Sequence, residues 1–150
     1  MQPADPGYDQ RTRDSFARQN AMQTLGATLE SVAPGRVTIT MAHRDTLTQQ
    51  HGFIHAGMLA AALDSACGYA AFSLMPADTA VLTIEFKINL LAPARGPRFR
   101  FEGVVVKPGR TISVVDGRAL QFEADGGAEK LVATMSATVM TVRGREALKH

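Results

Sequence analysis

Two spacings of apolar residues organise the chain. Between residues 82 and 90, Leu82, Ile84, Phe86, Ile88 and Leu90 alternate with Thr83, Glu85, Lys87 and Asn89. A period of two predicts a strand with one apolar face. The alternation returns in Arg98–Lys107, where Phe99 and Phe101 interleave with Arg98, Arg100 and Glu102. It resumes from Thr111 to about Glu123, and again over Leu131–Val142, with a basic tail behind. Pro93, Gly96-Pro97, Pro108-Gly109 and Asp125-Gly126-Gly127 separate these strands, as residues that break ladders or supply turns do. Upstream, Ala27–Ala33 and Arg36–Ala42 read as a hairpin about Pro34-Gly35, with Val37, Ile39 and Met41 on one face. Before it, Phe16, Ala17, Ala21, Met22 and Leu25 recur at helical spacing, predicting one helix from Arg11 to about Leu25 that ends at Gly26. Residues 1–10 are expected to be a flexible tail and 11–150 a single domain, with no internal repeat and no linker.

The stretch between hairpin and strands follows neither simple pattern. From His55 to Met75 there is one charged residue, Asp64, among seven alanines and a nearly continuous apolar set. A helix apolar on every face must be buried. Its length approaches that of a membrane span, yet Asp64, Ser65, Ser73 and the closing Pro76 favour a core helix. A single buried helix wrapped by antiparallel strands is an α+β architecture. A curved sheet still has edges to satisfy, so a second copy of the chain is expected to continue it edge to edge.

Asp64 is where chemistry enters. A carboxylate in apolar surroundings shifts its pKa or finds donors. The helix start, near Ala56-Gly57, offers unpaired N–H groups and a positive dipole end suited to an oxyanion. Gly57 and Asp64 share a helix face about 10 Å apart along the axis, with Ala60, Ala61, Gly68 and Ala71 in the same lane. That separation is awkward for one site within one chain. Two antiparallel copies of the helix, each lending its N-terminus to the other's Asp64, would close it. A structural Asp64, bonded to a partner's backbone, stays open on spacing alone.

Other constellations are weaker. His51 and His55 with Asp64 lack a fourth ligand, so no metal is expected. No serine occupies a nucleophile turn. Cys67 reads as a small packed residue, and one cysteine excludes an internal disulfide and fits a reducing compartment. No basic-then-apolar leader opens the chain, so a cytoplasmic setting is expected.

Composition adds one detail. The 150 residues carry 16 basic and 14 acidic side chains, which gives no case for nucleic acid. Locally, however, Arg95, Arg98, Arg100, Lys107 and Arg110 face only Glu102. Such a patch suits an anionic ligand, or is a solvated edge strand.

The run Gln49-x-His51-Gly52-x-x-His55-Ala56-Gly57, followed by Asp64 nine residues after His55, resembles the hotdog-fold acyl-CoA thioesterases of the phenylacetate-degradation (PaaI-like) type, within the 4-hydroxybenzoyl-CoA thioesterase superfamily. Ala56 stands where that family has the first glycine of a pair, a mild departure because the donor is a backbone N–H. The similarity runs over residues 25–142 and includes Glu85-Phe86-Lys87-Ile88-Asn89 and Pro93. It implies a hotdog fold, a long central helix wrapped by a curved antiparallel sheet, and hydrolysis of an acyl-CoA without a cofactor. By the same resemblance Asp64 would be general base or nucleophile, and the Ala56 N–H with the Gln49 side chain would hold the oxyanion. His55 would orient the thioester or leaving thiolate, and Thr83, in the same chain as Asp64, would help place water. Gly57 would sit against the substrate, and the Lys107-Pro108-Gly109-Arg110 turn would meet the CoA phosphates. The family forms tetramers as pairs of dimers. An acyl-thioester dehydratase or hydratase on the same fold, a non-catalytic acyl-CoA binding module and a purely structural oligomer stay open. Phe53, Met58, Tyr69, Phe72 and Met75 are candidates for an acyl pocket.

Overall fold

The computed structural model describes residues 1–123 and 127–144. Helices α1 (Tyr8–Arg18) and α2 (Asn20–Leu25) precede strands β1 (Thr28–Ala33) and β2 (Arg36–Ala42). A short 3-10 turn (Asp45–Leu47) leads to helix α3 (Ala56–Phe72), after which come strands β3 (Thr79–Leu90), β4 (Arg98–Lys107), β5 (Ile112–Phe122) and β6 (Lys130–Arg143). The strands form one antiparallel sheet in the order β1-β2-β4-β5-β6-β3, with β1 and β3 at its edges. The sheet curves around α3, whose contacts reach β2, β3, β4, β5 and β6. This is the hotdog arrangement. Among the described residues no helix is long and apolar enough to cross a membrane.

Alternation in β2, β4, β5 and β6 turns one apolar row inward, so Val37, Ile39, Met41, Phe99, Phe101, Val115 and Val139 are buried against α3. Helix and sheet approach closely because two inward positions carry no side chain. A Cβ on Gly103 would overlap the Ala66 carbonyl oxygen, and one on Gly117 would lie 2.9 Å from Cys67 Sγ. At Gly103 strand backbone meets helix backbone, and at Gly117 the glycine makes room for the Cys67 side chain. Both ends of α3 are tied. His55 Nδ1 accepts from the Gly57 N–H at 2.8 Å. At the far end Arg11 donates to the carbonyls of Phe72, Met75 and Pro76, as a cation at a helix C-terminus should.

Four expectations need correction. The single helix from Arg11 to Leu25 is two, broken at Gln19, which is extended (φ −82°, ψ 100°). The expected tail includes the first residues of α1, and the Ala4 N–H donates to the Leu74 carbonyl at 3.2 Å. The central helix is not covered on every side. Its C-terminal half is buried all round, but Gly57 is exposed and Ala60, Ala61 and Asp64 are half-buried along one lane. Finally, β3 does not alternate strictly. Thr83 pairs with Val139 and Glu85 with Thr138, leaving Ile84 as a bulge. Opposed residues share a face, so Val81, Thr83, Phe86, Ile88 and Leu90 look toward α3 while Leu82 looks away. A bulge shifts the period by one residue and re-aims the side chains beyond it. The Asp125-Gly126-Gly127 turn falls largely, and the basic tail after Gly144 wholly, outside the described residues.

Candidate functional site

Asp64 projects from the uncovered lane of α3 toward edge strand β3. Thr83 Oγ1 donates to Asp64 Oδ1 at 2.7 Å, a contact that the bulge at Ile84 makes compatible with Phe86 also facing the helix. Burial pushes the Asp64 carboxyl above the usual range, and the Thr83 hydrogen bond partly offsets it. A displaced carboxyl pKa beside a groove is a mark of functional sites. Cys67, one turn on, is a buried thiol pushed up to about 12, first by burial and then by Asp64 and Asp116. It is inert at neutral pH.

The other end of α3 holds the donors. Gln49 Oε1 accepts from the N–H groups of His51 (2.6 Å) and Phe53 (3.3 Å), which fixes the loop and leaves its Nε2 to donate outward. His55 is the N-cap, and with Nδ1 accepting from Gly57 its remaining ring nitrogen is Nε2. The Gly57 donor is thereby spent. The Ala56 N–H, by contrast, has no partner among the described residues. Gln49 and Ala56 line a common groove of about 430 Å³ with Phe53, Leu59 and Leu90.

A single chain does not bring acid and donors together. Ala56 and Asp64 are eight residues apart on one straight helix, about 12 Å, and they line different grooves. Next to that uncovered lane stand the side chains of edge strand β3. Ile84, Phe86 and Leu90 are 54%, 43% and 53% exposed, and Leu91 beyond the strand is 55% exposed.

The basic patch read from charge is divided. Arg98 and Lys107 stand at opposite ends of β4, about 30 Å apart. Arg100 forms ion pairs with Glu102 and Glu129, and Arg95 lies over the Phe53 ring at 4.8 Å. Among the described residues no acidic side chain forms an ion pair with the Lys107–Arg110 turn. It gains Arg143, whose Nη2 donates to the Arg110 carbonyl at 3.1 Å. Gly109 and Arg110 line a groove of about 410 Å³ with Arg143, at the C-terminal end of α3. Arg143 is a cation the charge reading missed, since only the sheet register carries it to that turn. Of the acyl-pocket candidates, Tyr69 lines the groove beside Asp64 and Phe53 the groove at Gln49, whereas Phe72 is wholly buried core. Among the described residues no three His, Cys, Asp or Glu side chains are grouped to hold a metal.

This fold, with a carboxylate on the uncovered lane and a free amide at the helix start, defines a class of hotdog proteins. A family model described as the thioesterase superfamily matches residues 51–125, and the chain belongs to that superfamily. The structure is similar to a thioesterase family protein from Silicibacter pomeroyi, 56% identical, with a TM-score of 0.89 over 92% of this chain and 100% of that one. It also shares its fold with the Escherichia coli PaaI protein of the phenylacetic acid degradation operon, 20% identical, TM-score 0.79, covering 90% and 93% of the two chains. A curated relative from Saccharolobus solfataricus, carrying the provisional name of esterase, is 34% identical over 93 residues. That match takes in 61% of this chain and 64% of the relative.

Proposed function

We propose that the protein hydrolyses an acyl-CoA thioester to the free acid and CoA, at a site shared by two antiparallel copies of the chain. The observation that carries this reading is the hydrogen-bonded, pKa-raised Asp64 on an uncovered helix lane, about 12 Å from the free Ala56 N–H of its own helix. A second copy, seated on the apolar edge of β3, would bring its Ala56 N–H and Gln49 amide to this Asp64. A homodimer results, and two such dimers would give a homotetramer. The lone buried thiol accords with a cytoplasmic setting.

The chemistry balances without a cofactor. Asp64 takes a proton from water, with Thr83 holding the carboxylate, and the water oxygen bonds to the thioester carbon. Charge collects on the carbonyl oxygen, where the Ala56 N–H and Gln49 Nε2 of the other chain donate. The C–S bond then breaks, and the departing sulfur receives the proton Asp64 took. His55, fixed as N-cap, presents Nε2 to the thioester or thiolate, and exposed Gly57 leaves space for it. A raised carboxyl pKa brings the base nearer to working pH. Oxyanion donors and the base contribute on the order of 10²–10³ and 10²–10⁴ in rate. Lys107, Gly109 and Arg110 would receive the CoA phosphates, with Arg143 beside them.

Thiol release from a panel of CoA thioesters tests this. Wild type should turn over at least one of them, and Asp64→Asn should not, while keeping the wild-type circular dichroism spectrum. Wild-type turnover by Asp64→Asn, or full activity in a stable monomer, would refute it.

A further inference from the structure

Resting on the hydrolase reading, we propose that Gln19 is the end wall of the acyl chamber and sets the longest acyl group the site accepts. The groove at Asp64 holds about 230 Å³ and is lined by Gln19, Ser65, Gly68, Tyr69 and the β3 segment 81–83. Asp64 and Thr83 line the same groove as Gln19. Gln19 is also where α1 and α2 part, and the extended backbone there turns its side chain onto α3. The amide is held at both ends. Ser65 Oγ donates to Gln19 Oε1 at 2.9 Å, and Gln19 Nε2 donates to Tyr69 Oη at 3.1 Å. Tyr69 Oη also meets Ser15 Oγ at 3.1 Å, so a buried hydroxyl chain backs the amide. Ser65 and Tyr69 are one turn apart, so Gln19 crosses that flank of the helix as a brace, with no free rotor to swing aside.

Gly68 lines the floor of the groove, in the lane along which the second copy's helix would approach. A Cβ on Gly68 would meet nothing within 4 Å, although Gly68 lies inside the most buried stretch of α3. Glycine in mid-helix is disfavoured relative to alanine. At Gly103 and Gly117 the missing side chain is required by close packing; at Gly68 no contact among the described residues requires it. A cavity of about 150 Å³ suffices for benzene, so the groove fits a short chain or one ring. A long alkyl chain would run into the braced amide.

Chain-length profiles of kcat/KM across straight-chain acyl-CoA thioesters test the assignment. Gln19→Ala removes the wall and should raise the long-to-short kcat/KM ratio by about tenfold or more, the scale on which pockets sense methylene groups. Gln19→Met keeps the bulk without the hydrogen bonds and should retain the wild-type cut-off. Gly68→Met, built from a helix-favouring residue, should move the cut-off to shorter chains and keeps the proposal testable if Gln19→Ala fails to fold. An unchanged profile in Gln19→Ala and Gly68→Met, or a loss uniform across chain lengths, would overturn the proposal. Wild-type protein that hydrolyses no thioester would instead overturn the reading on which it rests.

Discussion

Thr83 donates its hydroxyl hydrogen to Asp64 Oδ1 at 2.7 Å. The pair joins an edge strand to a helix nineteen positions earlier in the chain. Because the bond favours the ionised acid while burial opposes it, removing it should drive the carboxyl pKa further up. Thr83→Val should therefore move the acidic limb of the kcat/KM profile to higher pH. A limb that stays put would separate Thr83 from the titration of the base.

The same raised pKa sets a stability trend. The folded chain holds the Asp64 proton to higher pH than the unfolded chain, so this group favours folding at low pH. That contribution fades as pH rises from about 4, the unfolded carboxyl value, through the folded pKa. Asp64→Asn should thus melt no lower than wild type at pH 7, and its advantage should vanish below about pH 4. Melting curves at several pH values measure this; a variant less stable at pH 7 than at pH 4, relative to wild type, would contradict it.

Charge placed on the β3 edge should separate the copies. Phe86 and Ile84 are large, apolar and about half exposed. Ile84→Glu with Phe86→Asp should sediment as a monomer and lose thioester turnover together with assembly. A monomer with undiminished turnover would place the whole site within one chain.

Phosphate binding can be read from substrate truncation. Arg110→Ala and Arg143→Ala should each raise KM for CoA thioesters several-fold, with less effect on pantetheine thioesters that lack the nucleotide. Equal effects on both substrates would reject contact between this turn and phosphate.

Gly103 offers a stability test remote from the site. Its missing side chain admits the Ala66 carbonyl, and a methyl there would overlap that oxygen. Gly103→Ala should cost about 1–3 kcal/mol, read as a lower urea midpoint. An unchanged midpoint would mean the helix can retreat from the sheet.

The outline of this fold is legible in the sequence because its signals are local. Turns at Pro34-Gly35, Pro93, Gly96-Pro97 and Pro108-Gly109 bracket strands that begin and end within a residue or two of their expected bounds, except that β3 starts at Thr79, three residues before Leu82. The motif from Gln49 to Asp64 locates the helix start and the acid. Other features depend on distant partners. Strict alternation in β3 hides the bulge, since an extra residue is visible only against β6, and so alternation alone turns Leu82 toward the wrong face. The break at Gln19 leaves no local mark because its cause lies at Ser65 and Tyr69, 46 and 50 residues away. Net charge cannot foresee that Glu129 would neutralise Arg100, or that Arg143 would join Arg110.

Where Gly103 and Gly117 admit Ala66 and Cys67, the rod of α3 is indexed against the two innermost strands like a key against fixed wards. The depth of the acid and the reach of the amide end are therefore measured from the middle of the sheet rather than from its rim. Loops and edges can then drift in sequence while the placement of Asp64 and of the start of α3 holds constant.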